Sequence, residues 1–473
     1  MYKSLKSFIK FILYVGITII VTYYLPPLIA PFWYIFLLIL YWRSNDEPFW
    51  LAFFMVTVDG FMGFFGVYTV TIKLIPGLPA IELAQFYIIL SAFKAERYKI
   101  KPYLFYNKYM LILLFYVIFL IIWGQFMGFH GELRDYFRII KLTLPFILFY
   151  SLPRLLPDIE SYKRLFGFIF FILIAGFAAQ LFTLFTGFSP AKVIKLSAEQ
   201  LSEIDIFDRY RGFYNIGATL IGLFGALFFI ALKTDRTFNT IYLYIIIISA
   251  YGMAYLSATR GWIIAFSIII VFTLLFVIDI YNRKLTGFIF FSILLISIGL
   301  SNTRIKNQID FANERLLKLQ ALSKGDITAE GTLKRLSERG PRVIKVWKEN
   351  PIFGWGFSDI SRKYQDGHVG NQNLLMTSGL VGFSLLFGFL IYFCNKILQI
   401  YLKSPFYFSL KKALIVFIIF LLGWFFIHST SGQHFNYLGI PAFIIPQAIF
   451  FSFGALIYNN VNSYLCLNHF KKH

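Results

Sequence analysis

Charge is what this chain has least of. Aspartate, glutamate, lysine and arginine make up 14% of its 473 residues, where soluble domains carry about a quarter. With 58% hydrophobic residues and 59 phenylalanines, that scarcity excludes the string of soluble domains that length alone would allow. Cysteine is nearly absent. Cys394 lies in an apolar run and Cys466 near the C-terminus, which gives neither a metal spacing nor a disulfide framework. The chain has no GxxxxGK[ST] phosphate loop, no HExxH zinc helix and no GxSxG elbow, so a nucleotide-driven pump and a metalloprotease are both disfavoured. There is no internal repeat, and no low-complexity tract beyond the apolar bias itself. No cleavable signal peptide is expected. The apolar run from Phe8 lacks a small-residue cleavage site before Pro26 and Pro27 and reads as a first anchor.

Negative charge is the scarcer sign, leaving a net charge of +21. Its distribution argues against nucleic acid as a partner. The basic residues sit at the ends of apolar runs rather than on one face, which is the pattern set by membrane topology.

Long apolar runs, by contrast, are abundant. They fall near 8–25, 28–42, 48–70, 74–93, 108–128, 139–157, 165–187, 212–232, 238–258, 261–280, 286–300, 373–395, 411–427 and 437–458. Lipid cannot satisfy an open backbone, so each is expected to be helical. The second and eleventh are short, and the fourth carries Pro76 and Pro79. The expected fold class is therefore an all-α polytopic integral membrane protein with about 12–14 transmembrane helices and one long, partly helical extracytoplasmic loop. This divides the chain into an N-terminal transmembrane bundle (1–204), transmembrane helices carrying arginine motifs (205–300), an extracytoplasmic loop (301–372) and C-terminal transmembrane helices (373–473).

The charge bias sets the orientation. With Lys3, Lys6 and Lys10 in the cytoplasm, the even-numbered turns collect Arg43, the Lys94–Lys108 cluster, Lys233, Arg236, Arg283, Lys284, Lys396, Lys403, Lys411 and Lys412. The short odd-numbered turns hold far fewer, as the positive-inside rule requires. The outer side then receives the loop around 188–211, the break "SATRG" around Arg260, the long polar region from about Ser301 to Gln372, and a short turn with His428 and His434. A loop of that length is usually functional. Within it "FANERLLKLQALS" has helical spacing, "TLKRLSERG" reads as a short helix ending at Gly340, and "PRVIKVWKEN" as another that starts at Pro341 and stops before Pro351.

Arginine near lipid is costly and marks function by default. The alternative for Arg260 is an interfacial anchor, and for Arg209 and Arg211 a solvated pair balanced by Asp205 and Asp208. Arg335, Arg339 and Arg342 fall at i, i+4 and i+7, either a functional face or a solvated one. Together these guanidinium groups suit an anionic, phosphate-bearing ligand. Outside the cytoplasm, such a ligand held in the membrane is expected to be a lipid diphosphate. His368 is the only histidine of the long outer region, and a neutral imidazole is a natural general base for a hydroxyl. Asp59 and Glu82 lie within apolar runs, where they would pair with arginines or, for Asp59, carry protons.

Three stretches together resemble the O-antigen ligase and Wzy-type polysaccharide polymerase superfamily. "RYRGFYN" resembles its outer arginine motif, with Arg211, Gly212 and Asn215 in place. "SATRGW" resembles its small-residue/Ser-Arg-Gly motif and supplies Arg260. "RVIKVWKENPIFGWGF", then His368, then "NLLMTSGLVG" resembles its long-loop signature. The match covers roughly 205–395. The chain departs from the family where Val369 replaces the Asn that commonly follows the histidine, and where Asn215-Ile216-Gly217 stands for Asn-Pro-Asn.

The resemblance implies an inverting glycosyltransferase that needs no metal or other cofactor, in the bacterial inner (cytoplasmic) membrane, with its site on the periplasmic face. Its donor would be an undecaprenyl-diphosphate-linked glycan. Its acceptor would be a glycan, for a repeat-unit polymerase, or lipid A-core or protein, for a ligase. A chain-length regulator would be a further partner. His368 would be the catalytic base, with Arg211, Arg260, Arg342 and Arg209 holding diphosphate or substrate. A different class, an ion-coupled transporter or lipid flippase, would place its ionisable groups at mid-membrane and show inverted repeats.

Overall fold

The computed structural model describes residues 2–58, 69–73, 77–98, 101–188, 216–232, 237–277, 301–326, 328, 334–403, 408–431 and 434–470. Among them the chain is almost wholly helical. The helices are α1 (Tyr2–Tyr23), α2 (Ile29–Arg43), α3 (Glu47–Val56), α4 (Leu83–Ala95), α5 (Asn107–Phe126), α6 (Leu133–Thr143), α7 (Leu148–Leu155), α8 (Ile159–Thr186), α9 (Ile216–Leu232), α10 (Thr240–Leu256), α11 (Arg260–Phe276), α12 (Thr303–Leu317), α13 (Gly340–Glu349), α14 (Asp359–Tyr364), α15 (Gly370–Lys403), α16 (Phe408–Ser431) and α17 (Pro441–Phe470). The only strands described are Thr71–Ile72 and Ile81–Glu82, an antiparallel pair in register Thr71 with Glu82.

Six of these helices are long and apolar enough to cross a membrane, within α1, α5, α8, α15, α16 and α17. The chain is thus a multi-pass helical membrane protein. Six shorter apolar helices, including α9, α10 and α11, accompany them. Burial sorts the bundle into layers. The membrane stretches of α1 and α5 are 28% buried and so line the periphery, whereas that of α17 is 83% buried and runs through the centre. Phe224 of α9 marks this centre, with its ring centroid 4.8 Å from Phe417, 5.3 Å from Phe420 and 4.9 Å from Phe450. A phenylalanine-rich sequence packs here because edge-to-face rings fill volume without any polar atom to satisfy.

Polar residues start the helices where apolar runs resume. Asp158 caps α8 by accepting from Ser161 N–H (2.7 Å), Asn239 caps α10 through Ile241 N–H (3.0 Å), and Asn302 caps α12 through Arg304 and Ile305 N–H (3.0 and 3.2 Å). Each satisfies donors that the first turn leaves orphaned.

Several expected spans are shaped differently. The apolar stretch 139–157 is not one helix. It is the end of amphipathic α6, a 3₁₀ turn Leu144–Ile147 containing Pro145, and the short α7 with Pro153 inside. Proline removes the backbone donor and breaks the ladder. Of the run 74–93, the described residues 77–82 are not helical and the helix begins at Leu83, with 74–76 outside the described residues. The run 48–70 is helical over Glu47–Val56, with 59–68 outside the described residues. The expected span 286–300 also lies outside them.

Two carboxylates in apolar surroundings pair with lysine, not with arginine. Glu47 accepts from Tyr87 Oη (2.7 Å), Lys94 Nζ (3.2 Å) and Tyr41 Oη (3.4 Å). Glu82 lies 3.7 Å from Lys141 Nζ. A buried charge needs such a partner or it would neutralise.

Candidate functional site

Helix α15 carries a break that organises one end of the bundle. Gly379 has φ +64° and ψ −173° inside an otherwise continuous 34-residue helix, a conformation essentially reserved to glycine. The break frees carbonyls of the preceding turn, and other elements fill them. Trp355 and Gly356 N–H donate to the Met376 and Thr377 carbonyls (2.8 Å each), and Tyr116 Oη donates to the Ser378 carbonyl (2.6 Å). In return Leu380 and Val381 N–H donate to the Pro351 and Ile352 carbonyls (2.9 and 3.1 Å). The "NPIFGWGF" stretch is therefore a plug pressed into a broken helix. Non-helical backbone at membrane depth survives only with its polar groups satisfied in this way.

The plug is gripped from its other side by α5. Trp123 Nε1 donates to the Gly354 carbonyl (2.9 Å), and Phe357 N–H to the Leu120 carbonyl (3.3 Å). Above it lies a small apolar core of Val343, Val346, Val369 and Met376, bordered by Trp347 and Trp355. Val369, which follows His368 where the family commonly has asparagine, is 2% exposed and is one of its anchors.

His368 sits on top of this anchor, at the entry to α15, and is solvent-exposed. Its backbone N–H donates to Asp366 Oδ1 (3.0 Å). Asn373 clamps Asp366 in turn: its Oδ1 accepts from Asp366 N–H (3.0 Å) and its Nδ2 donates to the Asp366 carbonyl.

Three arginines converge here. Arg335 Nη2 lies 3.5 Å from His368 Nδ1, Arg339 Nη1 3.6 Å from Asp366 Oδ1, and Arg342 Nη2 3.1 Å from Asp366 Oδ2. Instead of the expected short helix that stops at Gly340, a single π turn, Arg335–Arg339, runs straight into α13. That turn rotates the arginines onto one side, and π turns recur at functional sites. Desolvation, with Arg335 and Arg339 adding to it, holds the His368 pKa below its ordinary value, against the smaller opposing pull of Asp366. These influences favour the neutral imidazole over the imidazolium. A guanidinium has only donors, so the contact with Arg335 suits the tautomer whose lone pair is on Nδ1.

Arg260 is the first residue of α11 and is 7% exposed. It follows Ala258, the only non-glycine with positive φ (+51°) among the described residues. Ser257 Oγ donates to the Ala254 carbonyl (2.7 Å) and to Thr259 Oγ1 (3.0 Å) and so fixes this turn. A cation at a helix N-terminus adds to the positive end of the helix dipole, which makes a strongly anion-attracting point.

Both ends of the long loop are tied down around these groups. Its first helix, α12, latches onto the Arg260 turn, with Gln308 Nε2 donating to the Leu256 carbonyl (2.5 Å) and Tyr255 Oη bonding to Asn313 Oδ1. The last part of the loop carries the arginine–Asp366–His368 cluster. Helix α16 joins the two sides. Asn371 Nδ2, just past His368, donates to Ser429 Oγ (2.7 Å), while the Trp262 and Trp424 rings flank the His434 ring at 5.8 and 6.1 Å. Arg260, Arg342 and His368 thus lie at one end of the bundle. His428 and His434, expected in a short polar turn, are buried.

Arg209, Arg211, Gly212, Asn215 and Asp59 lie outside the described residues. Reading the sequence for chemistry did not single out Asp366. The sequence offered no clear signal for it, since Asp366 stands 24 residues past Arg342 and Glu338, between Arg335 and Arg339, is the nearer acid. No protein-family model matches the chain and no curated protein matches it, so the family resemblance rests on the residues of this sequence alone.

Proposed function

We propose that the chain is a membrane glycosyltransferase that moves an undecaprenyl-diphosphate-linked glycan onto an acceptor hydroxyl during surface polysaccharide assembly. It would work with about 12–14 spans in the bacterial inner membrane, with the N-terminus in the cytoplasm and the long loop on the outer face. The observation that carries this reading is the gathering of Arg335, Arg339 and Arg342 around Asp366 and His368, at the same end of an apolar bundle as buried Arg260. A neutral base beside a set of cations suits a reaction that takes a proton from a hydroxyl and releases a multiply charged phosphate.

In the proposed step the acceptor oxygen bonds to the anomeric carbon, and the bond from that carbon to the diphosphate oxygen breaks. The electron pair leaves on the diphosphate. The hydroxyl proton goes to His368 Nδ1, where the acceptor displaces the long 3.5 Å contact to Arg335. Arg260 and Arg211, with Arg342 and Arg209, stabilise the leaving diphosphate as charge develops, the logic of preorganised electrostatic catalysis. The bond between sugar and phosphate is already activated, so no nucleotide is required. A repeat-unit polymerase is preferred to a ligase because the motifs diverge from the family pattern and polymerases vary more. Among the described residues the membrane carboxylates Glu47 and Glu82 are held by lysines, while Asp59, on which a transporter reading turns, lies outside them.

His368→Ala, Arg260→Ala and Arg211→Ala, scored on gels of surface glycan, test the reading. Each is expected to abolish or shorten the glycan, and normal glycan from all three overturns it. Deleting the gene separates the two enzymes. Single repeat units on the lipid acceptor mean a lost polymerase, and long unattached chains on undecaprenyl diphosphate mean a lost ligase.

A further inference from the structure

A cleft of about 240 Å³ opens at the loop end, between α6, α14 and the segment 436–443. We propose that it binds the acceptor glycan. The proposal rests on the transferase reading and adds to it the side from which the acceptor enters. Gln365, on the rim, is three residues before His368, and Thr377, in the wall, belongs to the first turns of α15. Gln365 and Thr377 bracket His368 in sequence, so one short stretch of chain links the cleft to the base.

Its chemistry suits a sugar better than a lipid phosphate. Phe129, Phe357 and Phe443 supply aromatic walls, whose electron-rich faces attract the C–H faces of sugar rings. Ser361 Oγ and Thr377 Oγ1, 3.0 Å apart, add hydroxyls, and Asn436 adds an amide. Arg362 is already engaged by two carboxylates, Asp135 (2.5 Å) and Asp359 (3.0 Å), so the trio carries excess negative charge and offers no bare cation to a phosphate. Arg138 alone lies on the cleft with an exposed guanidinium and no ion pair among the described residues. The volume is below the roughly 300–1,000 Å³ of drug-sized sites, the scale of one or two sugar rings.

The cleft is also rigidly built. Gly439 N–H donates to the Leu142 carbonyl (2.9 Å) and ties its two banks together. The larger cleft, about 860 Å³, lies between α1 and α8 beside Lys163 and Arg164, at the other end of the bundle, and cannot feed His368.

The test uses the full chain in lipid nanodiscs, titrated calorimetrically with short oligosaccharides cut from the delipidated surface polysaccharide of the source cells. Wild type and His368→Ala are expected to bind. Arg138→Ala, and Ile440→Trp, which fills the cleft from an exposed position, are expected to bind at least about tenfold more weakly with unchanged melting. Wild-type binding by both cleft variants overturns the proposal, as does absence of binding by the wild type at millimolar oligosaccharide. If His368→Ala still builds normal glycan, the transferase reading fails. If His368→Ala loses glycan while both cleft variants bind and build it normally, only the acceptor cleft fails.

Discussion

Gly379→Ala puts the loop plug to the test. The residue sits at φ +64° and ψ −173°, and a side chain there costs about 1–3 kcal/mol in backbone strain alone. An added Cβ would stand 2.2 Å from the Ile352 oxygen and 2.5 Å from the Gly354 nitrogen, both backbone atoms with nowhere to yield. Relief requires the plug to lift, which gives up the hydrogen bonds of Trp355, Gly356, Leu380 and Val381, each worth about 0.5–1.5 kcal/mol net. The two routes bracket a cost of about 3 kcal/mol, a roughly 150-fold shift from docked to undocked loop. Undocking removes the floor under Val369 and lets His368 drift from Arg335. The assay is limited tryptic digestion of the purified protein together with glycan gels. The expected result is rapid cleavage among the lysines and arginines of 335–363 and loss of glycan. Gly367→Ala is the control: it lies next to His368, but nothing stands within 4 Å of its added Cβ. If Gly379→Ala resists trypsin and builds glycan as wild type does, the plug does not position the site.

Arg335→Ala and Arg339→Ala each remove a cation that disfavours imidazolium, so the His368 pKa rises. The acid limb of the kcat/KM profile then moves to higher pH, while Asp366→Asn moves it lower if the loop stays docked; profiles that do not move would rule out His368 as the titrating base. Ala258→Val forces a β-branched residue into the left-handed region and is expected to lower activity at least about tenfold, with Ala258→Gly active; equal activity of the two would show that this turn does not set Arg260. Lys94→Met strands the Glu47 carboxylate in the core and is expected to cost about 3–5 kcal/mol, read as a lowered melting temperature in detergent, whereas an unchanged melt would mean the pair is dispensable.

The sequence made some features legible because they follow from local chemistry. Apolar length gave the spans of α8, α16 and α17, and Pro341 and Pro351 bounded α13. Spans with internal proline or a polar rim misled, as at 139–157, because hydropathy measures solubility and not backbone continuity. The arginine pattern at 335, 339 and 342 was visible, but its convergence on Asp366 and His368 was not. That convergence depends on a π turn and on Asn373 holding a carboxylate seven residues away.

By itself, the sequence determined that the chain must be helical and membrane-bound, since no other backbone satisfies itself in lipid. It also marked His368 and Arg260 as candidates for chemistry, each beside a plainer reading as a solvated or interfacial side chain. Tertiary structure alone decided that a helix breaks at Gly379 to receive the loop, that Arg339 and Arg342 share Asp366, and that Arg335 faces His368. Those outcomes hang on contacts between residues far apart in the chain, such as Tyr116 with Ser378 and Gln308 with Leu256. No local pattern encodes such contacts, because their energy exists only once the helices have packed.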